Sequence, residues 1–99
     1  MNVNELIKRA IYLYELSLDA LERDDYVDAC EKAWGCVEAT RKAFLVKAGI
    51  SYNIAKSIAH GIPIFTRLLK KLGRENLLEK YTYFNYKLHT MRFYEGITE

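Results

Sequence analysis

Residues 25–49 read DYVDACEKAWGCVEATRKAFLVKAG, and this stretch decides the fold. Asp25 has the short acceptor side chain of a helix N-cap, and Asp28 falls at N3, where a carboxylate suits the positive helix end. Tyr26, Ala29, Cys30, Ala33, Val37, Thr40 and Phe44 recur at helical spacing and predict one core-facing side. Gly49 is the expected stop after Ala48, giving a helix on the order of 35 Å long. Asp28–Lys32 and Glu38–Lys42 are i,i+4 pairs in the favourable order. Ala29, Ala33, Cys36, Ala39 and Ala43 are all small, so neighbouring helices can approach closely. Gly35 costs about 1 kcal/mol against Ala in mid-helix, which marks a tight contact or a shallow bend.

Towards the N-terminus, Asn4 is an expected cap for a first helix. Leu6, Ile7, Ala10, Ile11, Tyr14, Leu18 and Leu21 form its predicted buried stripe, and Glu5 with Arg9 an outer pair. The polar run Glu22-Arg23-Asp24-Asp25 breaks the pattern, so a short turn joins two antiparallel helices. Towards the C-terminus, Asn53 to His60 suits two short turns, and Gly61 and Pro63 interrupt any longer helix there. Pro63 fits the first turn of a third helix, with Ile64, Phe65, Leu68, Leu69 and Leu72 apolar and Gly73 closing it. Asn76 with Glu79 reads as a capping box for a fourth helix ending near Tyr94, whose stripe is Leu77, Tyr81, Phe84, Leu88 and Met91. Sustained strand alternation and tight hairpin turns are missing. The expectation is an all-α fold: one domain, residues 1–99, built as an antiparallel up-down four-helix bundle.

With 51% hydrophobic and 28% charged residues the composition is that of an ordinary globular protein, and a net charge of +2 singles out no partner. No apolar run approaches the roughly 20 residues of a membrane span, and MNVNELIKRA lacks signal-peptide character, so a cytoplasmic location is expected. Cys30 and Cys36, six apart on a helix, point to different faces and read as small buried hydrophobes. No metal cluster, nucleophile motif or glycine-rich phosphate loop stands out, so no metal or cofactor is expected.

Three groups of side chains carry the candidate chemistry. Asn85, His89 and Arg92 fall at i, i+4 and i+7 along one edge of the last helix, where His89 can act as a proton acceptor with Arg92 one turn on. Read without catalysis, His89 is a hydrogen-bonded interior or interface residue. His60, Arg67, Lys71 and Arg74, with Lys70 beside them, share a helical face if the third helix reaches back to His60. Such a stripe holds a phosphate backbone, or is a solvated helix face. Tyr83, Tyr86, Phe93 and Tyr94 put rings on a further face, either additional core or the anchor of a subunit interface; four helices of this size do not cover every aromatic face, so a homodimer is expected.

Asp25-Tyr26-Val27-Asp28-Ala29-Cys30-Glu31-Lys32-Ala33-Trp34-Gly35, the lone His60, and Leu88-His89-Thr90-Met91-Arg92-Phe93-Tyr94-Glu95-Gly96 together resemble the archaeal PaREP family. That family is similar in turn to the HEPN superfamily of helical bundles, many of them metal-independent ribonucleases. The resemblance implies a HEPN-like bundle. The HEPN signature, an Arg followed by a polar residue and then a His, maps onto Phe84-Asn85-Tyr86-Lys87-Leu88-His89. Phe84 stands where the Arg belongs, a departure that bears on catalysis and not on fold. The expectation is therefore a dimeric interaction or nucleotide/RNA-binding module without catalysis of its own. The competing expectation is a metal-independent ribonuclease using His89, Arg92 and Asn85, the toxin of a toxin–antitoxin pair with a nucleotidyltransferase or antitoxin as partner protein.

Overall fold

Five helices follow one another along the chain: α1 (Val3–Glu22), α2 (Tyr26–Lys47), α3 (Tyr52–Ala55), α4 (Ile58–Lys71) and α5 (Glu75–Thr98). The computed structural model describes the backbone of residues 1–98 and side chains through residue 87; no strand occurs among the described residues. The fold is all-α, as the periodicity predicts.

Short polar side chains start the first four helices. Asn2, not Asn4, caps α1: its Oδ1 accepts from the Glu5 N–H at 2.9 Å, and Glu5 Oε1 accepts from the Asn2 N–H at 3.1 Å. Glu5 is thus spent on a capping box, with two otherwise unsatisfied donors taken up reciprocally. Asp25 caps α2 through the Asp28 N–H at 3.1 Å, as its position predicts. Asp28 also meets Lys32 at 2.9 Å, the pair expected from i,i+4 spacing. Gly49 and Gly73 follow α2 and α4 with φ of +95° and +70°, a region where other residues are strained.

The largest difference from the sequence pattern lies between residues 50 and 61. Ser51 caps α3 and Ser57 caps α4, so the segment forms a one-turn helix and then the start of the next long one. Pro63 sits inside α4, in its second turn. Gly61 does not break α4 but permits its contact: a Cβ there would lie 2.7 Å from Arg41 Nη1 and nearer still to the Ala55 carbonyl oxygen. α5 runs on past Tyr94, with Gly96 inside it, and begins at Glu75.

α2 is the hub. α1 packs on one flank of it, α3, α4 and α5 on the other, and among the described residues α1 meets neither α4 nor α5. On the α4/α5 flank a core of Leu45, Ala55, Phe65, Leu69 and Tyr81 is surrounded by Trp34, Val37, Phe44 and Leu78. Phe65 is edge-on to both Phe44 and Tyr81, with centroids 5.5 and 5.1 Å apart. Such ring pairs add about 0.5–1.5 kcal/mol beyond their buried area. On the α1 flank the contact is close and made by small residues. Leu13 lies over Gly35, where a Cβ would come within 3.0 Å of Leu13 Cδ1, so Gly35 marks a tight contact.

The apolar stripe of α1 divides into two adjacent rows. Leu6, Ala10, Leu13, Ser17 and Ala20 are buried against α2. Ile7, Ile11, Tyr14, Leu18 and Leu21, each one residue further on, remain 43–55% exposed, contrary to the burial their pattern predicts. Tyr26 and Thr40, expected on the core face of α2, are exposed as well. A helix in contact with one neighbour covers one row, and among the described residues α1 meets α2 alone.

Candidate nucleic-acid interface

Ser57 decides the register of the basic stripe. By capping α4 at Ile58 it brings His60 into the helix, and with it the i, i+7, i+11 relation of His60, Arg67 and Lys71. The Ser57 hydroxyl accepts from the His60 N–H at 3.2 Å and lies 3.1 Å from His60 Nδ1, which holds the ring at the start of the helix. Pro63 shares this outer face, while Gly61, Phe65 and Leu69 are buried on the inner one. His60, Arg67, Lys70, Lys71 and Arg74 are all exposed. The ion pairs among the described residues are Arg23–Asp28, Lys32–Asp28 and Arg41–Glu38, so none of the four cations of the stripe is paired with a carboxylate of the described residues. Arg74 lies in the turn after α4, beside Glu75 and Glu79 at the start of α5 in sequence.

The surroundings strengthen this positive face. Between Ala39 and Arg74 the chain carries eight Lys and Arg residues and no Asp or Glu; one of the eight, Arg41, is buried against Glu38, and the thirteen carboxylates lie outside that span. The second half of α2, α3 and α4 come from this span and pack against one another. The opposite composition holds at the α1–α2 turn, where Glu22, Asp24, Asp25 and Asp28 gather. A net charge of +2 therefore conceals two poles of opposite sign.

The second candidate group sits on α5. Asn85 is half-buried and Phe84 is 50% exposed, its ring 5.9 Å from that of Tyr83. Tyr83 and Tyr86 are 57% and 68% exposed, and Lys87 Nζ lies 5.8 Å from the centre of the Tyr83 ring. His89, Arg92, Phe93 and Tyr94, with Leu88 and Met91, have side chains outside the described residues. Among the described residues no cluster of His, Cys, Asp and Glu has the arrangement of a metal site. No helix there is long and apolar enough to cross a membrane. Neither Cys30 nor Cys36 takes part in a disulfide among the described residues, and burial pushes the Cys36 thiol up.

The sequence model of the archaeal PaREP1/PaREP8 family matches residues 5–99. The chain belongs to that family. No curated protein and no solved structure matches it.

One feature of this PaREP chain escapes a reading by periodicity. Arg41, on α2, is 2% exposed and is one of the largest fully buried side chains. Its Nη1 donates to the Ala55 carbonyl at 2.9 Å and its Nε to the Glu38 carboxylate. Glu38 is thereby paired to Arg41, not to Lys42 as i,i+4 spacing suggests. The Tyr81 hydroxyl is buried near this pair without a hydrogen-bond partner among the described residues. Burial, and then the charge of Glu38, push the Tyr81 phenol up to about 12. Arg41 holds α3 to α2, and the carbonyl it binds is the one that Gly61 leaves room for. The cluster thus positions the start of α4, and with it the basic stripe. The absence of acidic neighbours after Glu38 was the one available signal, since a buried Arg must find its partner close by.

Proposed function

We propose that this PaREP protein is a cytoplasmic, HEPN-like helical module that binds the phosphodiester backbone of RNA and does not cleave it. The observation that carries this reading is the acid-free span from Ala39 to Arg74, with Arg67, Lys70, Lys71 and Arg74 exposed and in no ion pair among the described residues. Exposed Lys and Arg neutralise phosphates and release counterions, which supplies affinity without regard to base sequence. No aromatic residue interleaves the stripe, so base stacking plays no part in this mode. Catalysis is left out because Phe84 occupies the place of the HEPN Arg. Cleavage through a phosphorane needs a cation there, and losing one such stabiliser typically costs about 10²–10³ in rate.

Fluorescence anisotropy with a labelled single-stranded RNA tests the reading. Four phosphate contacts give about a fiftyfold loss of affinity between roughly 50 and 200 mM salt. The variant carrying Arg67→Glu, Lys71→Glu and Arg74→Glu is expected to lose binding while keeping its helical circular dichroism. Equal binding by variant and wild type would dismiss the stripe as a solvated helix face. RNA cleavage that persists in EDTA and vanishes in His89→Ala would make the protein a ribonuclease instead.

A further inference from the structure

Independently of RNA binding, we infer that the exposed row of α1 is the contact surface of a homodimer, in which the α1 helices of two copies pack antiparallel. The exposed row is apolar at each of its five positions, Ile7, Ile11, Tyr14, Leu18 and Leu21. It borders a shallow groove whose floor is Cys36 and Thr40 of α2 and whose far side is Leu77 of α5. The two hollows that make up this groove measure about 310 Å³ each and share Cys36 and Thr40.

The exposed surface of the chain as a whole, α5 included, leaves area for a second copy. A compact monomer of 11.6 kDa is expected to expose about 5,800 Å². This chain exposes 6853 Å², a surplus of about 1,000 Å². A standard stable interface takes about 800 Å² from each partner. The Cα radius of gyration, 14.2 Å against about 13 Å for a compact chain of this length, points the same way.

Charge and spacing choose the orientation. The row centres on Tyr14, so that antiparallel pairing sets Ile7 opposite Leu21 and Ile11 opposite Leu18, a large aliphatic on each side. The next row out is Lys8, Tyr12, Glu15, Asp19 and Glu22, cationic at its start and anionic at its end. In an antiparallel pair Lys8 falls between Asp19 and Glu22 of the other copy. In a parallel pair Glu15, Asp19 and Glu22 would each meet their own counterpart, which is repulsive. The two copies therefore close on each other as an isologous pair.

Light scattering at tens of micromolar is expected to give twice the 11.6 kDa chain mass. Ile11→Glu with Leu18→Glu is expected to raise the dimer dissociation constant about a hundredfold or more, by burying unpaired charge, with helical content unchanged. Leu18→Lys alone is a milder form of the same test. Lys8→Glu is expected to weaken the dimer, and adding Asp19→Lys and Glu22→Lys to restore it. Orientation is read by mixing chains that carry Ile7→Cys with chains that carry Leu21→Cys, each in a Cys30→Ala, Cys36→Ala background. Mild oxidation is expected to yield the mixed disulfide. A monomer mass for the wild type would overturn the proposal. So would homodisulfides through position 7 in place of the mixed product, or a dimer that survives the α1 variants and is split by Tyr86→Asp.

Discussion

On the flank of α2 that faces α4 and α5, large rings fill the space: Phe44, Phe65, Tyr81 and Trp34 lie within 6.2 Å of one another in a chain of contacts. On the flank that faces α1, Ala29, Ala39, Ala43 and Gly35 bring two backbones together over a single row of side chains. The two flanks solve the same problem, burying the side of one helix, with opposite means. Bulky packing spreads outward and encloses whatever lies between the helices, including the Arg41 guanidinium and the Tyr81 hydroxyl. Close packing buries little beyond the line of contact and leaves the adjoining row of α1 in solvent. One flank therefore depends on internal polar satisfaction, and the other on what covers its second row.

The sharpest break of this contrast is Arg41→Ala. It removes the donor to the Ala55 carbonyl and leaves the Glu38 carboxylate without its partner. Losing one member of a buried ion pair costs about 3–5 kcal/mol, which a urea titration would read directly. On the other flank the two rows of α1 separate in a paired experiment. Leu13→Ala, in the buried row, is expected to cost about 2–4 kcal/mol at any protein concentration. Leu18→Ala, in the exposed row, is expected to cost less than about 1 kcal/mol, with a penalty that grows as concentration rises. Equal and concentration-independent losses would mean that the two rows are not distinct.

The smallest effect is Tyr81→Phe. The hydroxyl has no partner among the described residues, so its removal is expected to be neutral or to stabilise by up to about 1 kcal/mol near neutral pH. The effect keeps its sign and grows with pH in a defined way. The folded phenol ionises at about 12 and the unfolded one near its ordinary value of 10.0. Stability held by the neutral phenol is thus complete below pH 10.0 and is lost as pH rises towards 12. Urea midpoints at about pH 9 and about pH 11 are expected to fall further for wild type than for Tyr81→Phe.

Most of the helices were legible in the chain because their ends carry local chemistry. Asp25, Gly49 and Gly73 act within a turn of where they stand, and a pattern reader sees the same short range as the backbone does. The α3 segment was harder, because Ser51 and Ser57 are ordinary loop residues until a helix follows them. The cap of α1 shifted by two residues because Asn2 and Asn4 are chemically alike, and Glu5 stands at the N3 spacing from Asn2 alone. His60 joined the basic stripe only through the Ser57 cap, so the candidate site was visible as a spacing but its register was not.

What the sequence determined by itself was the helical class, the α1–α2 hairpin and the cationic spacing from Arg67 to Arg74. These follow from turn chemistry and 3.6-residue periodicity, which are properties of neighbouring residues. Only the tertiary structure decided which of two adjacent apolar rows on α1 meets α2, because both have helical period and either can face a partner. It also decided that Arg41 is buried, since the Ala55 carbonyl that receives it is fourteen residues away along the chain. Periodicity says that a side needs covering; the geometry of helix packing says which side is covered and by what.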